Sequence, residues 1–181
     1  MTREALLIEL LELFRQYGYE GVSIGRISEV TGLGKSSLYH HFPQGKEQMA
    51  AEVLEFIDKS VREHFIAPLK VSGSPRQRLL NLSKVVDEFY AGGEKGCITD
   101  GLTLGDANGL FQKRISACID AWIQAIADVA VESGLPKKVA RERAENVLVG
   151  IQGALIVSRA LKNPAIFRRV VRDIPAIVLE K

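Results

Sequence analysis

The stretch Ser23-Ile24-Gly25-Arg26-Ile27-Ser28-Glu29-Val30-Thr31-Gly32-Leu33-Gly34-Lys35-Ser36-Ser37-Leu38-Tyr39-His40-His41-Phe42-Pro43 decides the fold. Ser23 is a good N-cap, Ile24, Ile27 and Val30 recur at helical spacing, and Thr31-Gly32 supplies a stop, so a helix of about two turns is predicted. A second short helix is predicted over Lys35 to His41. Phe42-Pro43 closes it, because a residue before proline is pushed out of the α region. Upstream, Leu7, Leu10, Leu11, Phe14 and Tyr17 line one face of a predicted helix from about Thr2 to Tyr17. A helix followed by two short helices joined by a glycine-containing turn is the arrangement that places a helix in the DNA major groove.

The residues of this region also carry a resemblance. Leu13-Phe14, Gly18-Tyr19, Gly21-Val22-Ser23, Ile27, the run Gly32 to Phe42 and Lys46-Glu47 together resemble the DNA-binding domain of the tetracycline-repressor (TetR) family. The extra residue in Phe42-Pro43-Gln44-Gly45-Lys46, with Gly96-Cys97 later on, resembles its LmrA/YxaF-like branch. The resemblance implies that Lys35, Ser36, Ser37, Tyr39 and His40 on the recognition helix face DNA, and that His41 and Lys46 contact phosphate. It matches Ser23 to the hydroxyl at the start of the second helix and gives Leu38 and Phe42 to the core. Gly34 stands where many members have a capping Ser, and Gly25 where some have a basic residue.

Helical geometry supports groove contact by Tyr39, since Leu38 and Phe42 already supply the core face. Adjacent His40 and His41 diverge by about 100° on a helix and cannot share an ion, so no metal is expected. Arg26 has two readings, a phosphate contact or a pair with Glu29 at i+3. Gly21-Val22-Ser23-Ile24-Gly25 matches a nucleophile elbow letter by letter, but that elbow needs a preceding strand, and Leu11 to Tyr17 is helical. Gly34-Lys35-Ser36 imitates the end of a P-loop whose first glycine would fall at Glu29, a carboxylate that repels phosphate. No enzyme activity and no cofactor follow.

Composition sets the remaining bounds. The chain has 181 residues, 46% hydrophobic and 25% charged, ordinary globular values that exclude disorder and a disulfide scaffold. The net charge of +2 hides asymmetry, because residues 1 to 47 hold five basic and six acidic side chains while 137 to 181 hold ten and four. The longest apolar stretch, Val147 to Val157, is interrupted by Gln152 and too short to cross a bilayer. With acids among its first nine residues the N-terminus does not suit export, so a cytoplasmic protein with free thiols at Cys97 and Cys118 is expected. Cys97 is either a small buried hydrophobe or a reactive sensor thiol.

Helical spacing recurs nearly everywhere and period-two alternation is absent, so an all-α fold is predicted. Further helices are expected over 46–66, 75–90, 110–132, 137–161 and 164–180, the last kinked at Pro175, with the glycine-rich 91–109 a loop holding at most a short helix. A DNA-binding domain over 1–47 and a helical-bundle ligand-binding and dimerisation domain over 48–181 are expected. The helix at 137–161 is apolar around much of its circumference, and with the last helix it is expected to form a two-fold interface through Val147, Ile151, Leu155, Ile166, Val170 and Ile174. A ligand cavity is expected between the bundle helices. Phe56, Phe89, Tyr90, Trp122 and Ile126 are candidate walls, and Asn108, Gln112 and Gln152 candidate polar groups; ordinary core packing is the alternative for each.

The function expected from this is a transcriptional regulator, a repressor that binds a palindromic operator in double-stranded DNA as a homodimer and is released by a small molecule of unknown identity. The alternative is an all-α enzyme or adaptor that uses the bundle pocket without binding DNA.

Overall fold

The computed structural model describes residues 2–180, with Asp106 described by its backbone alone. The described residues contain helices and no strand. The order is α1 Arg3–Tyr17, α2 Ile24–Thr31, α3 Lys35–His41, α4 Lys46–Val61, α5 Pro75–Phe89, α6 Ile98–Leu102, α7 Gly105–Glu132, α8 Lys137–Ala160, α9 Ala165–Arg172 and α10 Ile174–Leu179. A π turn, Arg62–Ile66, and a 3-10 turn, Ala67–Lys70, continue α4, and a short 3-10 turn, Ala91–Gly93, follows α5.

The cap read at Ser23 is the one used, and two other helices start in the same way. Thr2, Ser23 and Ser74 each accept a backbone N–H three residues on, which satisfies a donor that a helix start leaves orphaned. Gly32 ends α2 in the left-handed region at φ 67°. Two faces differ from expectation: Tyr17 and Val30 are exposed, and Thr31 is buried in place of Val30, its hydroxyl donating to the Ile27 carbonyl at 2.7 Å.

The chain divides into two compact units, one holding residues up to Lys59 together with Cys97–Ser116, the other Ser60–Gly96 with Ala117 onward. The division differs from the expected boundary at 47 and 48, which falls inside α4. In the first unit α6 packs against α1, and the Tyr19 N–H points at the Gly101 carbonyl at 3.4 Å. A Cβ on Gly101 would stand 2.5 Å from the Gly18 Cα, so the approach requires glycine. The glycine-rich segment holds one short helix, α6, as expected, but α7 starts at Gly105, earlier than expected.

In the second unit α5, α8, α9 and α10 pack on one another. The break near the C-terminus falls at Asp173 rather than at Pro175, which sits in the first turn of α10 where its missing N–H costs nothing. Arg78 is a buried guanidinium, donating to the Leu69 carbonyl at 2.7 Å and paired with Glu132. Its hydrogen bond holds the Glu132 carboxyl below the usual carboxylate range. Among the described residues no helix is long and apolar enough to cross a membrane.

Glu132→Gln is expected to lower the urea midpoint by removing the charge partner of a buried cation. A depressed carboxylate stabilises above its unfolded value and loses that contribution as pH falls through the folded value, so the deficit should be constant at neutral pH and shrink below about pH 4.5. Gly101→Ala forces backbone apart and should cost about 1–3 kcal/mol, read as a lower Tm.

Candidate nucleic-acid interface

The turn between α2 and α3 is fixed by side chains of α2. Ser28 Oγ donates to the Leu33 carbonyl at 2.6 Å, and Thr31 Oγ1 accepts the Leu33 N–H at 3.3 Å. Beneath it Ile27, Leu38 and Phe42 are each 0% exposed. With Leu38 and Phe42 turned inward, helical rotation sends their neighbours out: Lys35, Ser36, Ser37, Tyr39, His40 and His41 are all exposed. Gly34 caps α3 without a side-chain bond, so the first N–H groups of α3 get no capping oxygen from it.

The flanking candidates are more engaged than their sequence positions indicate. Ser23 is exposed, but its Oγ already accepts the Arg26 N–H at 3.1 Å. Arg26 does not pair with Glu29; its guanidinium lies 3.9 Å above the Tyr17 ring and reaches toward the Gly21 carbonyl. Lys46 is half-buried, donating to the Tyr19 carbonyl at 2.9 Å with its ammonium 4.1 Å from the Tyr19 ring. That leaves part of its donor capacity for a phosphate. Burial pushes the Tyr19 phenol up from its ordinary value, with Glu47 and Glu20 adding to the effect, so the ring stays neutral under the ammonium. The ring also meets Phe111 edge-on at 5.5 Å.

Sequence reasoning missed Arg3. It donates to the His41 carbonyl at 2.9 Å and to Glu52 at 2.5 Å, and its guanidinium lies 4.2 Å above the Phe42 ring. A signal existed, because a cation in the first turn of a helix opposes the macrodipole, which favours acids there.

Most of the residues expected at the subunit contact lie inside their own chain. Val147, Ile151, Leu155 and Ile174 are 0% exposed within their own chain, where α9 and α10 fold back over α8. The Phe167 N–H donates to Ser158 Oγ at 3.0 Å and helps pin α9 there. Ile166 and Val170 are half-buried. The face of α8 that remains exposed carries Val149 (69%), Gly153, Ile156 (55%), Val157 (44%) and, at its end, Leu161 (65%).

The ligand candidates divide between the units. Phe56, Asn108 and Gln112 belong to the first, and Asn108 and Gln112 are exposed, so they do not line an interior. In the second, Trp122 meets Phe65 at 4.9 Å, Phe65 meets Phe89 at 5.2 Å, Phe89 meets Tyr90 at 4.9 Å, and Ile126 is fully buried. Trp122 Nε1 and Gln152 Oε1 are buried without a hydrogen-bond partner. A separate open groove of about 270 Å³ between α5 and α9 is lined by Leu80, Ser83, Lys84, Asp87, Arg168, Val171 and Arg172, none of them expected. Cys97 is buried and accepts the Thr99 hydroxyl at 3.0 Å.

Comparison with known proteins agrees with this geometry. The family model "Bacterial regulatory proteins, tetR family" matches residues 6–53, and "Transcriptional regulator LmrA/YxaF-like, C-terminal domain" matches residues 81–173. The HTH-type transcriptional regulator LmrA of Bacillus subtilis is 24% identical, over 98% of this chain and 96% of that one. The regulator YxaF of the same organism is also 24% identical, over 99% and 96%. A TetR transcriptional regulator from Legionella pneumophila has the same fold, with TM-score 0.84 at 17% identity over 98% of this chain and 97% of that one. One from Chloroflexus aurantiacus gives TM-score 0.80 at 23% identity, over 99% and 94%. These relatives are described as transcriptional regulators, none as an enzyme. With its helix-turn-helix inside one matched segment and more than half its length inside the other, the chain belongs to the TetR family of DNA-binding transcriptional regulators, in the LmrA/YxaF-like branch.

Proposed function

We propose that the protein is a ligand-responsive repressor, acting in the cytoplasm, that binds a palindromic operator as a homodimer and is released by a small molecule. The observation that carries the DNA-reading half is the outward face of α3: Ser36, Ser37, Tyr39 and His40 exposed around a seam of Leu38 and Phe42 that is not. Hydroxyl, phenol and imidazole groups donate and accept, as readout of base edges requires. Lys35, His41 and the remaining donors of Lys46 suit phosphate, with Ser23 and Arg26 beside them. DNA reading is assigned to residues 1–47, effector binding and dimerisation to 48–181.

Dimerisation is assigned to the exposed face of α8, with Ile166 and Val170 of α9. Val149, Gly153, Ile156, Val157 and Leu161 recur at helical spacing, and leaving such side chains in water forgoes roughly 1.5–3 kcal/mol each when fully buried. A C2 pair would match the two halves of a palindrome.

Effector binding is assigned to the second unit, around Phe89, Tyr90, Trp122, Ile126 and Gln152. An indole N–H and an amide oxygen, buried and unpaired, are groups a ligand can satisfy. Phe65 belongs to the π turn that continues α4 and touches Trp122 and Phe89, so displacing it moves the end of that helix. The ligand must bind the DNA-incompetent state better, or it shifts nothing.

Selection of duplexes bound by the purified protein from genomic DNA is expected to return one palindromic site; failure to retain any duplex at low salt would refute the assignment. Tyr39→Ala with His40→Ala should abolish preference for that site while leaving thermal stability nearly unchanged, since both side chains lie outside the core. The two faces of α8 separate in the same way. Ile156→Glu should yield folded monomers in sedimentation, with operator affinity falling through lost effective concentration. Ile151→Glu buries a charge and should unfold the chain. An intact Ile156→Glu dimer would move the interface elsewhere.

A further inference from the structure

Around the junction of α3 and α4 the polar side chains form one continuous strap. The Gln44 N–H donates to Gln48 Oε1 at 2.9 Å, Gln48 Nε2 donates to Glu52 Oε1 at 3.0 Å, and Glu52 Oε2 accepts from Arg3 Nη2 at 2.5 Å. Arg3 Nη1 then reaches the carbonyl of His41, the last residue of α3, at 2.9 Å, and the guanidinium covers the buried Phe42 ring at 4.2 Å. One side chain from the start of α1 thereby holds the end of the recognition helix, its aromatic anchor and the second turn of α4. The strap brackets Phe42-Pro43-Gln44-Gly45, a turn whose own backbone bond is Gly45 N–H to the Phe42 carbonyl at 2.8 Å.

We propose that Arg3 is a positioning residue for DNA recognition, which sets the angle of α3 through His41, Phe42 and Glu52 rather than by touching DNA. The proposal rests on the assignment of α3 as the DNA-reading helix. Its chemistry is specific to arginine. A planar guanidinium presents several N–H groups in a fixed fork and stacks on an aromatic face, so it meets a carbonyl, a carboxylate and a ring together; a lysine ammonium is a point charge on a flexible stem. The cation also stands at the carbonyl end of α3, where it complements the helix dipole and satisfies an orphan acceptor. An isolated exposed ion pair between Arg3 and Glu52 contributes little by itself. The other two contacts, both made by the same group to the end of α3, give the pair its consequence.

The test uses full-length Arg3→Ala, Arg3→Lys and Glu52→Gln, the selected duplex, and a scrambled duplex of equal length. Positioning predicts that all three variants lose about tenfold in affinity for the selected duplex and much less for the scrambled one, with an unchanged salt slope. Glu52→Gln discriminates most sharply, because deleting a negative charge would tighten binding to DNA if charge alone mattered. In the free protein, the amides of residues 39–42, 44 and 45 should exchange faster in Arg3→Ala than in the wild type. Equal loss on both duplexes with a salt slope lower by about one unit per half-site, and Arg3→Lys behaving as wild type, would make Arg3 a phosphate contact and overturn the proposal. Unchanged exchange over 39–45 would overturn it too. Wild-type protein that binds no duplex would instead remove the DNA assignment, and the exchange measurement would still decide whether the strap holds α3.

Discussion

Isolated helices shorter than about 12–15 residues are marginal in water, and α3 has seven. Its outward groups are held in place because Leu38 and Phe42 are buried with Ile27 of α2. Roughly 1.5–3 kcal/mol for burying each such side chain is what a seven-residue helix needs to persist. Successive residues turn by about 100°, so burying 38 and 42 exposes 36, 37, 39 and 40 as a matter of geometry. Anchor and exposed face are therefore one design. Whatever tilts the anchors tilts the readers, which gives contacts to the end of α3 more consequence than their exposed position indicates.

The helix-turn-helix was legible because local chemistry writes its boundaries. Ser23, Gly32 and Pro43 each act within a few residues of themselves, through a cap, a left-handed stop and a ring clash. Segments whose conformation depends on distant neighbours were not legible. A glycine marks either a turn or a close approach, and sequence does not distinguish them; Gly101 sits inside α6 because the Gly18 backbone stands against it. Burial has the same ambiguity. The stripe of Val147, Ile151 and Leu155 is buried, as its pattern required, but by α9 and α10 of the same chain, since the break at Asp173 lets two short helices fold over α8. Periodicity says that a face is covered and is silent on what covers it. Arg3 was missed, and the contact of Lys46 with Tyr19 was not foreseen, for a related reason, since both side chains use carbonyls and rings that lie far off in sequence.

For the proposed release, magnitudes indicate which groups matter. Moving a two-state equilibrium from 1:99 to 99:1 takes about 5.5 kcal/mol of differential binding. Contacts made equally in both states contribute none of it. A buried polar group left unpaired costs about 1–3 kcal/mol, so pairing Trp122 Nε1 and Gln152 Oε1 supplies a useful fraction of that difference if only one state lets a ligand reach them. Phe65 is placed to make that distinction, because it packs on Trp122 while belonging to the turn that continues α4.

The two glycines of α8 separate what the chain explains by itself from what it does not. Glycine in a helix interior costs about 1 kcal/mol relative to alanine, and α8 contains Gly150 and Gly153. Gly150 has a reason within its own chain: a Cβ there would meet Val170 Cγ1 at 3.3 Å, tighter than ordinary contact. Gly153 has none, since nothing stands within 4 Å of where its Cβ would be. It lies on the exposed face with Val149, Ile156 and Val157, where alanine would stabilise an isolated helix and where the absence of a side chain lets a second helix approach closely. The proposed contact between two copies of α8 supplies the reason that the single chain lacks.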